Sequence, residues 1–341
     1  MGVTRQIKVG ILTAPHIEFE QRANTFILKN VRIGIGFHWD RYEDQEFAGT
    51  LTIRNNADGT QTAINTIDLE DYLCSVISSE MSANSPIELL KAHAVISRSW
   101  ALRAMQKPNH EGFDVCADDH CQRYEGLRRM SERAVEAVRA TASQVLLYND
   151  EICDCRYYKC CGGKTEIWRT CWEDIDVPYI QSVRCDYCKS PSPKILRLVL
   201  NDYDQETKDF RDWKVTYKDE ELNEIIRTKS GIDFGEIIDL IPLHRGASGR
   251  IDQLRIVGTK HTEVIGKELK IRYWLSRSCL YSSWFEVAHE NGVWTLSGHG
   301  WGHGAGLCQI GAAVMATEGK TYEEILTYYY PGTRLNEKIR K

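Results

Sequence analysis

From Gly298 to Gly306 glycine takes every second position, around His299, Trp301 and His303, in the run Ser297-Gly-His-Gly-Trp-Gly-His-Gly-Ala-Gly-Leu-Cys-Gln-Ile-Gly-Ala312. Such spacing disfavours a helix, and it lets other chain segments or a ligand approach the main chain closely. Two imidazoles and an indole add hydrogen bonds and a flat apolar face. The run therefore reads as a wall of a binding site, with a glycine-rich turn between a strand and a helix as the plainer alternative. A zinc-protease helix is excluded because glycines surround both histidines. A phosphate loop is excluded because the glycine it needs before Gly163-Lys164-Thr165 is Tyr158.

The chain has 341 residues, 42% hydrophobic and 27% charged, which suffices for one large or two ordinary globular domains. A net charge of -5 offers no global field to recruit nucleic acid, and there is no long Lys/Arg run for anionic lipid. A neutral ligand fits better. No stretch has the apolar length of a membrane span, and the first residues lack the apolar block of a signal peptide.

Nine of the twelve cysteines lie between Cys116 and Cys188. Cys116-Ala-Asp-Asp-His-Cys121 puts two thiols and an imidazole within six residues. Cys160, Cys161, Cys171 and the Cys185-x-x-Cys188 pair offer a second ligand set. Zinc and disulfides remain alternatives for both groups.

Periodicity predicts strands over Ile7 to Thr13 and Leu51 to Ile53, the second ended by Asn55-Asn56-Ala57-Asp58-Gly59. Asp68-Leu-Glu-Asp71 starts a helix that carries Tyr72, Leu73, Val76 and Ile77 on one face and ends near Glu80. Ser85, Pro86 and Glu88 predict a second helix opened by a capping box, with Arg98 on its apolar face and in need of a partner. A third helix runs from Ser131 to Thr141, followed by strands Gln144 to Tyr148 and Glu151 to Tyr158 around Asn149-Asp150. A charged stretch with Asp202, Asp204, Glu206, Lys208 and Asp209 leads to a helix from Asp219 to Arg227. Strands return at Arg250 to Val257 and Trp284 to Val287, and Pro331-Gly332 stops a last helix over Tyr322 to Tyr330.

Glu80-Met81, the run Pro86-Ile-Glu-Leu-Leu-Lys-Ala-His-Ala-Val-Ile-Ser-Arg-Ser-Trp-Ala-Leu102, Cys121-Gln-x-Tyr124, Gly162-Gly163-Lys-Thr165, Gly300-Trp-Gly-His-Gly304 through Gln309-x-Gly-Ala312, and Tyr329-Tyr-Pro-Gly-Thr333 occur in the order of the stage II sporulation protein D family. The chain resembles that family from about residue 48 to 335. The resemblance implies a mixed α+β fold, with helices and antiparallel β-rich parts around a glycan-binding groove. It implies a peptidoglycan lytic transglycosylase acting on strands from which an N-acetylmuramoyl-L-alanine amidase has stripped the peptides, hence an extracytoplasmic protein. The superfamily also contains amidase enhancers, so a non-catalytic enhancer or a wall-binding module stands as the alternative. The organisation expected is a β-rich segment 1–66, a catalytic core 67–190, a charged helical subdomain 191–248 and a β-rich part 249–341 with the Gly/His loop.

Glu80 occupies the place of the family's catalytic glutamate. Glycoside cleavage needs an acid to protonate a poor leaving oxygen, and a carboxyl group at a helix C-terminus is disposed to keep its proton. A lytic transglycosylase needs no second carboxylate, because the muramic acid C6 hydroxyl is the nucleophile; Asp118 and Asp119 are the nearest candidates for one. Arg98, Gln122, Tyr124, Trp301, His303 and Gln309 are the expected substrate-binding residues; for Arg98, structural anchoring or sugar contact is preferred over an ion pair with Glu80, which would lower the glutamate's pKa and weaken it as an acid. A buried tyrosine is the alternative for Tyr124 and a packed core ring for Trp301. His93 departs from a family position usually held by glutamine. Some family members bind zinc beside the active site near the Cys-Gln-x-Tyr motif, which implies a structural zinc on Cys116, His120 and Cys121, with no cofactor required for the chemistry.

Overall fold

The computed structural model describes residues 5–35, 40–118, 120–189, 191–200 and 211–336. Asp119 and the charged run Asp202 to Asp209 lie outside the described residues. The architecture is α+β, with helices set among small, mostly antiparallel sheets. In the first sheet Gln6–Ala14 pairs antiparallel with Gln61–Asp68, which also pairs with Thr50–Asn55. Alternate residues Ile7 and Val9 are buried, the period-two burial of a strand with one face on the core. Val115–Cys116 joins the opposite edge in parallel with Val9 and Gly10, which fixes Cys116 at the rim of the sheet.

Helix α1 spans Leu69–Glu80. The Asp68 carboxylate caps it by accepting from the Glu70 N–H, and Glu70 and Asp71 place negative charge in the first turn. Its buried Tyr72, Leu73, Val76 and Ile77 belong to the larger hydrophobic core. Helix α2 spans Ile87–Gln106 and contributes Leu89, Leu90, Ala94 and Ala101 to the same core. The capping box expected at Ser85 does not form. Pro86 is the cap residue, the fully buried Ser85 hydroxyl donates to the Leu198 carbonyl at 3.1 Å, and Glu88 pairs with Lys91. A buried hydroxyl is satisfied by tertiary contact here in preference to the helix end.

Helix α3, Glu132–Ala140, lies within the span expected from Ser131 to Thr141, with Ser131 as its N-cap. Leu146–Tyr148 and Glu151–Ile152 form a hairpin whose turn residues Asn149 and Asp150 both have positive φ. Tyr157–Tyr158 does not extend that hairpin; it pairs in parallel with Leu307–Cys308, far along the chain. A second hydrophobic cluster is built from residues between Trp213 and Leu296, around Leu222, Ile226, Leu254, Ile271 and Trp294. Among the described residues no helix is long and apolar enough to cross a membrane.

Candidate active site and metal centres

Glu80 is the last residue of α1, half-buried where the helix meets the segment 121–131. Three successive side chains at this end dock that segment. Ser78 Oγ accepts from the Ser131 N–H at 3.1 Å, Ser79 Oγ from the Glu125 N–H at 3.3 Å, and Glu80 Oε1 from the Arg123 N–H at 3.2 Å. Glu80 Oε1 also accepts from the Tyr157 hydroxyl at 3.1 Å. Burial, with the Glu80 carboxylate beside it, pushes the Tyr157 phenol well above its ordinary value, so it stays a donor at neutral pH. Tyr157 was not among the residues expected from sequence.

Behind this pair lies a buried polar relay. Gln122 accepts from the Tyr72 hydroxyl at 3.1 Å and donates to the Ser97 carbonyl at 3.4 Å. The His93 ring meets the Tyr157 ring edge-on at 4.4 Å. Gln309 Nε2 approaches His93 Nε2 at 3.0 Å, and His93 Nδ1 lies 3.1 Å from Ser97 Oγ. An amide NH2 can only donate, so this network assigns the proton to Nδ1 of a neutral imidazole. Burial, helped by Lys159, pushes His93 down to about 3. His303 Nε2 faces the Tyr157 carbonyl at 3.0 Å and its Nδ1 accepts from the Ala305 N–H, while burial holds it well below its ordinary value. His93, Gln309 and His303 thus converge on the residue that holds Glu80.

The other expected residues are placed elsewhere. Arg98, 1% exposed, forms a bidentate pair with Glu70 at 2.8 and 2.6 Å and also donates to the Gln144 and Val138 carbonyls. Glu70 opens α1 and Glu80 closes it, about 15 Å apart along the helix axis, so Arg98 is not a neighbour of Glu80. Tyr124 is buried, donates to Asn65 Oδ1 at 2.6 Å and packs between Tyr72 and Phe47. Trp301 is 7% exposed, with its ring edge-on to Tyr281, which leaves little of it for stacking on a sugar.

The glycine run is a packed turn, the plainer of the two readings its spacing allowed. It leaves the strand Val293–His299 and leads to the helix Gln309–Thr317. Gly306, at φ +87°, lies where a Cβ would overlap the Arg156 carbonyl, and a Cβ at Gly304 would collide with the buried Arg250 guanidinium. Close approach to the protein's own backbone and to Arg250 accounts for the glycines at these positions.

Among the described residues, six of the twelve cysteines fall into two groups, in each of which the ligand atoms lie within 4.8 Å of one another. The first is His110, Cys116, His120 and Cys121; His110 adds a fourth donor to the three expected from sequence. The Cys121 thiol holds Cys116 down to about 4, with His120 adding, so one sulfur is ionised and suited to a cation. Two thiols and two imidazoles at this spacing can close a tetrahedral site. Cys121 lies two residues before Arg123, whose N–H meets Glu80, so the cluster borders the carboxylate. The second group is Cys161, Cys185, Cys188 and Cys308, all buried; Cys160 and Cys171 fall outside it.

The family model described as Stage II sporulation protein (SpoIID) matches residues 57–148, which include α1, α2 and the first cluster. A domain of unknown function (DUF8618) matches residues 166–306. Stage II sporulation protein D of Bacillus subtilis is 28% identical over 81% of this chain and 76% of its own length. An uncharacterized protein of Brachyspira hyodysenteriae is 29% identical over 84% of this chain and 71% of its own. The amidase enhancer of Bacillus subtilis is 25% identical over 77% of this chain and 40% of its own. The chain thus carries a SpoIID domain over residues 57–148 and is similar across most of its length to stage II sporulation protein D, in keeping with its order of motifs.

Proposed function

We propose that the protein is a peptidoglycan lytic transglycosylase that cleaves the MurNAc-GlcNAc β-1,4 bond of peptide-stripped glycan strands, with Glu80 as the single general acid and base. The observation that carries this reading is the seat of Glu80, whose Oε1 is held by the Arg123 N–H and the Tyr157 hydroxyl at the end of α1. Protonated Glu80 gives its proton to the glycosidic oxygen as the C1–O4 bond breaks. The same carboxylate then takes the proton of the MurNAc C6 hydroxyl as that oxygen bonds to C1, leaving a 1,6-anhydro end and a regenerated acid. No water and no second carboxylate enter the balance.

Tyr157 and the Arg123 N–H fix the rotamer of Glu80, and the relay of Gln309, His93 and His303 fixes Tyr157. His110, Cys116, His120 and Cys121 would hold a structural zinc, whose charge neutralises the thiolates; four protein donors leave no open position for a substrate. Arg98 serves as the anchor between α1 and α2. The substrate places the protein outside the cytoplasm, downstream of an amidase that removes the peptides.

The similarity to an amidase enhancer supports a second reading, in which the protein binds glycan and stimulates an amidase without cleaving anything. Release of soluble fragments from peptide-stripped glycan separates the two. Wild type releases them and Glu80→Gln, folded and still bound to glycan, does not; amidase stimulation by a wild type that releases nothing moves the enhancer reading ahead.

A further inference from the structure

Cys161, Cys185, Cys188 and Cys308 converge on one buried point from three separate parts of the chain. Cys161 follows the strand Tyr157–Tyr158, Cys185 caps and Cys188 ends the short 3-10 turn Asp186–Cys188, and Cys308 caps the helix Gln309–Thr317. Their sulfurs lie within 4.8 Å of one another, and those of Cys161 and Cys188 are 3.0 Å apart. Disulfides would resolve the four into two bonded pairs, whereas these are four free thiols around a common centre. Thiolates about 2.3 Å from a tetrahedral ion stand about 3.8 Å from each other, which this spacing brackets. The larger frame of an iron–sulfur cluster would hold them farther apart.

The surroundings suit thiolates. The Gly163 N–H points at Cys161 Sγ at 3.3 Å, and the N–H groups of Cys161 and Gly311 point at Cys308 Sγ at 3.3 and 3.4 Å. The Tyr329 hydroxyl lies 3.2 Å from Cys185 Sγ. These are the outer donors that orient metal-bound sulfur, and the helix N-terminus at Cys308 adds its own positive end. Four sulfur donors with no nitrogen or oxygen among them select a soft, tetrahedral ion.

We propose that these four cysteines form a second metal centre, a closed tetrathiolate zinc site distinct from the Cys/His group beside Glu80. Its role follows from the register: Tyr158 pairs with Cys308 and Tyr157 with Leu307, so an ion on Cys308 and Cys161 clasps the strand that presents Tyr157 to Glu80. The site is a positioning device for that strand.

The test is metal analysis of the full-length protein purified under reducing conditions. Wild type with both sites filled carries about two equivalents of zinc, and Cys116→Ser/Cys121→Ser keeps about one. Cobalt exchanged into that variant gives the intense thiolate charge-transfer absorption of an all-sulfur site. A second measurement needs no variant: mass-spectrometric mapping of alkylated cysteines in native wild type, with and without a strong zinc chelator. The account predicts that chelation exposes Cys161, Cys185, Cys188 and Cys308 together. Protection of these four that is unchanged by the chelator, disulfide bonds among them, or iron in place of zinc would overturn it.

Discussion

At the scale of the residue, the proposed chemistry turns on Glu80, and what distinguishes it from an ordinary helix-end glutamate is two donors on one oxygen. Tyr157→Phe removes one donor and leaves the ring packing with His93 in place. A hydrogen bond to a charged group contributes about 1.5–3 kcal/mol and this one is already made in the resting fold, so its loss lowers stability by up to about that much, while kcat for glycan cleavage falls about tenfold or more, with KM little changed, because Glu80 loses a group that fixes its rotamer. His93 supplies a pH test. In the unfolded chain it titrates near 6.5, in the fold near 3. Above about pH 6.5 neither state binds the proton; as pH falls from there toward 3, the unfolded state gains a proton that the folded state refuses, and stability is lost at up to about 1.4 kcal/mol per unit. His93→Gln, which keeps a hydrogen-bonding side chain opposite Gln309, should lose less stability between pH 7 and 5 than wild type by about 2 kcal/mol in urea titrations. Equal losses in the two proteins would remove His93 from the account.

At the scale of the element, α1 separates two jobs, with the Glu70–Arg98 pair at its first turn and Glu80 at its last. The partners are unequally buried, since the Arg98 side chain is 1% exposed and that of Glu70 36%. Glu70→Ala leaves a buried guanidinium without its counter-charge and should cost about 3–5 kcal/mol, more than Arg98→Met, which leaves a carboxylate that water can reach. Chemical denaturation of the two variants checks the order. The elements near Glu80 were legible because their determinants are local: Asp68 caps α1 from one residue away, Ser131 caps α3, and Asn149-Asp150 turns a hairpin. Ser85 misled for the opposite reason, its hydroxyl being claimed by a carbonyl 113 residues away.

At the scale of the whole molecule, the same distinction separates what was readable in the site from what was not. Glu80, Cys116, His120 and Cys121 stood out by motif and spacing. Tyr157 is 77 residues from the carboxylate it holds and Cys308 is 147 from Cys161, and no local pattern ties such pairs together. His110 stands six residues before Cys116, outside the compact Cys-x-x-x-His-Cys run, and it is the fold that sets its Nε2 3.2 Å from Cys121 Sγ. The long-range parallel pairing of Tyr157–Tyr158 with Leu307–Cys308 carries the glycine run to the Glu80 end of α1. That pairing makes two distant segments one site.

The measurement that bears most directly on this account is mass spectrometry of the glycan ends produced from peptide-stripped strands by wild type and Glu80→Gln. Wild type should yield fragments ending in 1,6-anhydro-N-acetylmuramic acid, and Glu80→Gln should slow their appearance by a factor of roughly 10²–10⁴ or more. Reducing ends from wild type would contradict the single-glutamate mechanism, because they require an attacking water and a second group to activate it.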